Sequence, residues 1–173
     1  MSIQTVGIIG AGTMGNGIAQ ACAVSGIHVV MVDISEAAVA KGVATVSGSL
    51  DRLVKKEKIS EADKAAALAR IKGSTSYDDL KGAQLVIEAA TENHELKVKI
   101  LKQLDGLLAP NVIIASNTSS ISITQLAAAT QRADRFIGMH FNGYVRDFST
   151  IKAPINSSSS RFSFDQYSKS FAI

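Results

Sequence analysis

Cysteine is nearly absent from this chain: Cys22 is the only one. A disulfide framework and a cysteine-built zinc site are thereby excluded, no metal is expected, and a reducing, cytoplasmic compartment is. Long apolar runs are missing too. No stretch approaches the roughly 20 apolar residues that carry a helix across a bilayer, so no membrane association is expected. The opening MSIQTVGII has neither a basic n-region nor a small-residue cleavage site, so no secretory signal is expected. An excess of one charge is also lacking. Eighteen basic and 15 acidic side chains leave a net +3, too little to argue for nucleic acid. No internal repeat is visible.

What is present is 173 residues, 46% hydrophobic and 19% charged, enough for one domain with a proper core. The chain changes character near Asn142. Six of the nine aromatics and eight serines follow that point, four of the serines in the run Ser157 to Ser160. No two-residue or 3.6-residue periodicity survives there. The expected organisation is therefore a regular domain over 1–141 and a different, Ser- and aromatic-rich tail over 142–173.

Within the first segment, short apolar runs alternate with helical stripes. TVGII (Thr5 to Ile9), HVVMV (His28 to Val32), Ala83 to Ala89, Val112 to Ser116 and Phe136 to His140 read as strands, with a weaker one at Ile71 to Thr75. Met14, Ile18 and Cys22 form one stripe, ended by Gly26. Val39, Val43, Val46, Leu50 and Leu53 form a longer one behind a Ser35 cap. Ser60 and Asp63 have capping-box spacing. A further helix runs from about His94 to Leu108, with Leu96, Ile100, Leu104 and Leu107 on one face and Pro110 after it, and another over Ile123 to Ala129. This alternation predicts an α/β fold: a doubly wound, mostly parallel sheet, with ligands beyond the carboxyl ends of its strands.

The sharpest motif sits at such an end. Gly10-Ala11-Gly12-Thr13-Met14-Gly15 is a GxGxxG between a strand and a helix. Gly10 permits a tight turn, Gly12 lets backbone approach a pyrophosphate, and Gly15 lets helix and strand pack closely. The helix start offers free N–H groups and a positive dipole end. Asp33, 18 residues after Gly15 at the end of the second strand, can accept from both ribose hydroxyls and would repel a 2′-phosphate. NAD is thus favoured over NADP. A glycine-rich turn beside a surface Asp, or a methyl-donor nucleotide site, are the other readings.

The remaining strand ends carry polar groups. Asn117-Thr118-Ser119-Ser120 is either a ligand-facing turn or a helix-capping cluster. Glu92 and Lys97 read as solvated, and Glu95 with Lys99 as an i, i+4 pair. His140 closes the last strand. An imidazole there could take a proton from an alcohol as hydride leaves the same carbon, or it could be structural.

Taken together, GIIGAGTMGNGIAQ, VVMVDIS, VIEAATEN, IIASNTSSISIT and RFIGMHF resemble the NAD-binding domain of the 3-hydroxyacyl-CoA dehydrogenases, over about residues 3 to 141. The bacterial 3-hydroxybutyryl-CoA dehydrogenases resemble it most. The resemblance implies oxidation of an (S)-3-hydroxyacyl-CoA to the 3-ketone, with hydride passing to NAD+. By motif, His140 matches the catalytic base, Ser119 a serine contacting substrate near the nicotinamide, and Asn117 an asparagine beside it. Gly10, Gly12, Thr13, Met14, Gly15, Asp33, Ile34, Ala90, Glu92, Lys97 and Asn117 match the cofactor side. Ser49 and Lys56 match residues that contact the CoA portion; from the sequence alone they could equally be a solvated helix face.

The sequence departs from the family after Phe141. Where the family continues with Phe and Asn-Pro and then a strand carrying a Glu that pairs with the histidine, this chain has Asn142-Gly143-Tyr144. No glutamate follows Glu95, and Lys152 stands near the acid's place. The family's helical second domain is not recognisable either. Weak or absent turnover is the expectation, as is an apolar surface on the body that either the aromatic tail covers or self-association buries. Two alternatives stay open: a non-catalytic dinucleotide-binding module, and a β-hydroxyacid dehydrogenase acting on a free acid.

Overall fold

The computed structural model describes residues 3–139 and 141. Six strands, β1 (Thr5–Ile9), β2 (His28–Val32), β3 (Ile71–Ser74), β4 (Leu85–Glu88), β5 (Ile113–Ser116) and β6 (Phe136–Gly138), make one sheet. All five pairings are parallel, in the order β3-β2-β1-β4-β5-β6. The helices are α1 (Thr13–Val24), α2 (Glu36–Lys55), α3 (Glu61–Ala69), α4 (His94–Leu107) and α5 (Ile123–Ala128). The chain winds outward from β1 to β3, then returns to the other side of β1 and winds outward again. The reversal opens a crevice beyond the carboxyl ends of β1 and β4, where such sheets bind ligands.

Two-residue alternation splits the core. Val6 and Ile8 of β1, Val29 and Met31 of β2, and Leu85 and Ile87 of β4 pack on one face with Ile18 and Cys22 of α1 and Val46 and Leu50 of α2. Ile9, Val32, Val86 and Ile114 point to the other, against Ile100, Leu101 and Leu104 of α4 and Leu126 of α5. A strand apolar on both sides must be covered on both sides, which is why these strands read as continuous apolar runs. Burial pushes the Cys22 thiol up to about 12, with a backbone hydrogen bond acting weakly the other way, so it stays protonated and unreactive.

Most boundaries fall where the caps put them. Ser35 Oγ accepts from the Ala38 N–H at 3.2 Å, and Ser60 and Asp63 close a reciprocal capping box. Gly26, at φ 87°, ends α1, with Ile27 N–H donating to Cys22 O at 3.0 Å and Gly26 N–H to Ala23 O at 3.1 Å.

The apolar face of α4 differs from expectation. Leu96 is 40% exposed, and the buried stripe is Lys97, Ile100, Leu101 and Leu104. The helix is rotated so that a lysine, carrying its own carboxylate partner, takes a core position. Glu95 and Lys99 form no ion pair among the described residues. Two 3₁₀ turns, Tyr77–Leu80 and Ala133–Arg135, were not legible as periodic segments. Among the described residues, Ile34 and Leu96 are the large hydrophobic side chains that are most exposed.

Candidate functional site

Strand register levels the carboxyl edge. Ile9 pairs with Val32 and with Glu88, Glu88 with Ser116, and Ser116 with Gly138. The residues that follow each strand, Gly10, Asp33, Ala89, Asn117 and Met139, therefore emerge side by side. Segments 22 to 129 residues apart in sequence become one rim.

At β1 the backbone turns through Gly10, whose φ of 101° suits only glycine; a Cβ there would lie 2.6 Å from Ala89 O. Gly15 packs the first turn of α1 onto that loop so closely that a Cβ would fall 1.7 Å from Gly10 O. Gly12 is different. A Cβ on it would meet nothing within 4 Å, so its bare side faces open space. Among the five α-helices of the described residues, α1 alone lacks a side-chain N-cap bond; Ser35, Ser60, Asn93 and Ser122 cap the other four. Its first turn has no acidic residue, and its first intrahelical bond is Asn16 N–H to Gly12 O at 2.9 Å. The N–H groups of Thr13, Met14 and Gly15 are thus uncommitted at the positive end of the helix dipole, an arrangement suited to phosphate oxygens.

Asp33 is tied to this loop. Its Oδ2 accepts from the Ala11 N–H at 2.6 Å and its Oδ1 from the Ile34 N–H at 2.7 Å. Each carboxylate oxygen keeps a lone pair, so two ribose hydroxyls could still donate to it. Ile34, next along, is 96% exposed, an apolar side chain at the rim with nothing packed over it.

The β4 and β5 ends carry a charged cluster. Glu88, the last residue of β4, and Lys97, on α4, are both 0% exposed. Lys97 Nζ donates to Glu88 Oε1 (2.7 Å) and Oε2 (2.9 Å) and to Ala90 O (3.2 Å). Ser116 Oγ donates to Glu88 Oε2 at 2.6 Å, and the Ala90 N–H to Oε1 at 2.7 Å. Every lone pair of this buried carboxylate is used, which is what its burial requires. Glu92 lies above, 3.4 Å from the same ammonium and only partly buried. Burial, the largest single influence, pushes its carboxyl up. Hydrogen bonds from Thr118 and Ser120 and the Lys97 charge together outweigh it and hold the pKa down to about 2.

Lys97 is therefore not the solvated residue of the sequence reading. Its ammonium is enclosed, because the α4 stripe turns it inward over Glu88. Glu88 and Ser116 were missed altogether. The available signal was a glutamate closing the apolar run LVIE and a lysine at i, i+3, i+4, i+7 spacing with Ile100, Leu101 and Leu104.

Asn117 and Ser119 flank this cluster. Asn117 Oδ1 accepts from the Phe141 N–H at 3.0 Å, and its amide nitrogen has no hydrogen-bond partner among the described residues. Ser119 is exposed and makes no hydrogen bond among the described residues. His140 and 142–173 lie outside the described residues. Ser49 and Lys56 do not join the rim. α2 starts at the carboxyl edge behind Ser35 and leads away from it, and at 1.5 Å per residue they stand about 20 and 30 Å along the helix.

The edge thus holds an anion cradle, a carboxylate tied to that loop, and a polar turn beside a buried ion pair, which together fit a dinucleotide. The comparisons agree. The model of the family "3-hydroxyacyl-CoA dehydrogenase, NAD binding domain" matches residues 5–148, seven residues past the boundary read from composition. The 3-hydroxybutyryl-CoA dehydrogenase of Bradyrhizobium diazoefficiens is 51% identical over 139 residues, 80% of this chain and 47% of that protein. The crystal structure of (S)-3-hydroxybutyryl-CoA dehydrogenase from Ralstonia eutropha is 79% identical, with a TM-score of 0.81, over 83% of this chain and 51% of its own. The fatty acid oxidation complex subunit alpha of Acinetobacter baylyi is 42% identical over 80% of this chain but only 19% of its length. This chain spans about half the length, or less, of the curated relatives it matches. It belongs to the 3-hydroxyacyl-CoA dehydrogenase family, by way of that family's NAD-binding domain.

Proposed function

We propose that this chain is the cofactor-binding half of an NAD-dependent dehydrogenase that oxidises (S)-3-hydroxybutyryl-CoA to the 3-ketoacyl-CoA. The observation that carries the reading is the coincidence, on one sheet edge, of the uncapped α1 start, Asp33 and the Asn117 to Ser120 turn. Residues 1–141 form the dinucleotide-binding unit. Gly10, Gly12, Thr13, Met14 and Gly15 hold the pyrophosphate, Asp33 the adenosine ribose, and Ile34 and Ala90 flank the adenine side. Glu92, Lys97 and Asn117 lie on the nicotinamide side. Bound there, NAD+ supplies a hydride acceptor. Ser119 donates a hydrogen bond to the substrate oxygen. His140 takes the hydroxyl proton as hydride leaves the carbon that bears it. Ser49 and Lys56 meet the distant CoA portion, a lysine suiting its phosphates. The enzyme works in the cytoplasm, as its single buried cysteine and bacterial metabolic relatives support.

A second reading, a dinucleotide-binding module without turnover, is favoured by one observation: no glutamate follows Glu95 to pair with His140. Such an acid orients an imidazole and stabilises its protonated form. The deciding experiment follows NADH consumption by the purified chain with acetoacetyl-CoA. Bound NADH with weak or no turnover is expected. Turnover on the order of 1–1,000 s⁻¹ would mean that the missing acid is supplied within this chain or by a second copy. Failure to bind NADH would overturn the reading.

A further inference from the structure

Ser119 is displayed, but nothing on its own side chain explains what displays it. Both of its neighbours are held. Thr118 Oγ1 donates to Glu92 Oε1, and Ser120 Oγ donates to the same oxygen at 2.8 Å, with the Ser120 N–H at 3.4 Å. Thr118 is 7% exposed and also accepts from the Ile121 N–H at 3.0 Å, which fixes the turn from inside. The residues flanking Ser119 are thus tied to a single carboxylate oxygen on a different loop, 26 and 28 positions earlier in the chain.

Glu92 is itself held from below. Its Oε2 faces Lys97 Nζ at 3.4 Å, and that ammonium is locked onto Glu88, which Ser116 Oγ and the Ala90 N–H also grip. The stack runs from the buried end of β4, through a lysine of α4, to a half-exposed carboxylate, and from there to the two residues on either side of Ser119. Two carboxylates share one ammonium, so the stack keeps a net negative charge. The second carboxylate needs further donors, and Thr118 and Ser120 supply them. A bare turn of short polar residues would have no such anchor.

We infer that Glu92, seated on the Lys97–Glu88 pair, is a positioning residue for Ser119: by gripping Thr118 and Ser120 it presents the hydroxyl between them to the reacting groups. This deepens the proposed function and rests on it for the identity of those groups. The inference assigns Glu92 a task toward the protein's own turn, distinct from any contact with the cofactor. Ser120, which touches no assigned ligand position, becomes part of the same device.

The test is backbone ¹⁵N relaxation of the 173-residue chain, read at Ser119, in wild type, E92A, E92Q and S120A, with NADH affinity measured alongside. In E92A the buried Lys97 keeps Glu88, so the fold has no unpaired charge to expel. Its Ser119 order parameter should fall from about 0.85, a rigid value, to below about 0.6. E92Q should keep Ser119 rigid, because its amide oxygen still accepts from Thr118 and Ser120. S120A should give an intermediate loss of order while NADH affinity changes less than threefold. If E92A fails to fold, S120A carries the comparison. A Ser119 as ordered in E92A, or in S120A, as in wild type would overturn the inference, as would an equal loss in E92A and E92Q. Failure of wild type to bind NADH would count against the proposed function and leave the relaxation result standing.

Discussion

Asp33 shows how one side chain can serve two partners. Its oxygens are already engaged by the Ala11 and Ile34 N–H groups at 2.6 and 2.7 Å. The carboxylate therefore fixes the glycine loop and is itself fixed before any ribose arrives, so little ordering remains to be done on binding. Asp33→Ala should raise the Kd for NADH by about tenfold or more, since a hydrogen bond to a charged group is worth ~1.5–3 kcal/mol. It should also weaken discrimination against NADPH, whose 2′-phosphate no longer meets a negative charge. Fluorescence titration with the two nucleotides measures both, and an unchanged preference for NADH would remove Asp33 from the ribose site.

Elements here are held by ends as much as by faces. Arg132, 7% exposed, lies under the carboxyl end of α4. Its Nε donates to Asp105 Oδ1 at 2.6 Å, one terminal nitrogen to Ala109 O and Val112 O, and the other to Asp105 O and Leu108 O. The guanidinium thus satisfies carbonyls that the last turn of α4 leaves unpaired, and stitches that turn to the approach of β5. Arg132→Ala should cost about 3–5 kcal/mol, the range for breaking a buried ion pair, because Asp105 is left charged and poorly solvated. Arg132→Lys should recover part of the loss, since an ammonium keeps the charge but not the planar fork. Urea unfolding reads both variants. A loss below about 1 kcal/mol in Arg132→Ala would mean that water replaces the guanidinium. NADH affinity should not follow, because Arg132 is at the opposite end of the sheet from the rim.

For the molecule as a whole, the acid limb of stability should carry the signature of the rim. Glu92 is held at about 2 against an ordinary value of 4.5. Burial acts against this, and the Thr118, Ser120 and Lys97 contacts outweigh it. A folded-state value below the unfolded one means stability that is present above about 4.5 and is lost as pH falls toward about 2. Asp63, held down chiefly by Ser60, and Asp79, held down chiefly by Ser74 and Lys72, act in the same direction. Acid unfolding followed by circular dichroism should therefore be less steep in E92Q than in wild type between pH 4.5 and 2. The difference should be modest, because Glu92 is partly solvated and its ion pair is screened. Identical acid limbs would mean that the Glu92 contacts are absent in solution.

The sequence by itself determined the fold class, the strands near Thr5, His28 and Ile113, the caps at Ser35 and Ser60, and the glycine loop with Asp33. These are local properties. Periodicity, capping chemistry and a GxGxxG each act within a few residues of where they are read, so a linear sequence displays them. Tertiary structure decided the rest. It turned α4 so that Lys97, not Leu96, enters the core, paired that lysine with Glu88, and let Glu92 grip the two residues beside Ser119. It also sent Ser49 and Lys56 down α2, away from the rim. A buried charge is tolerable only where a partner from another element meets it, and that meeting depends on sheet register and helix rotation. No window of neighbouring residues contains either quantity, which is why the cofactor loop was legible and the ion stack beneath the Ser119 turn was not.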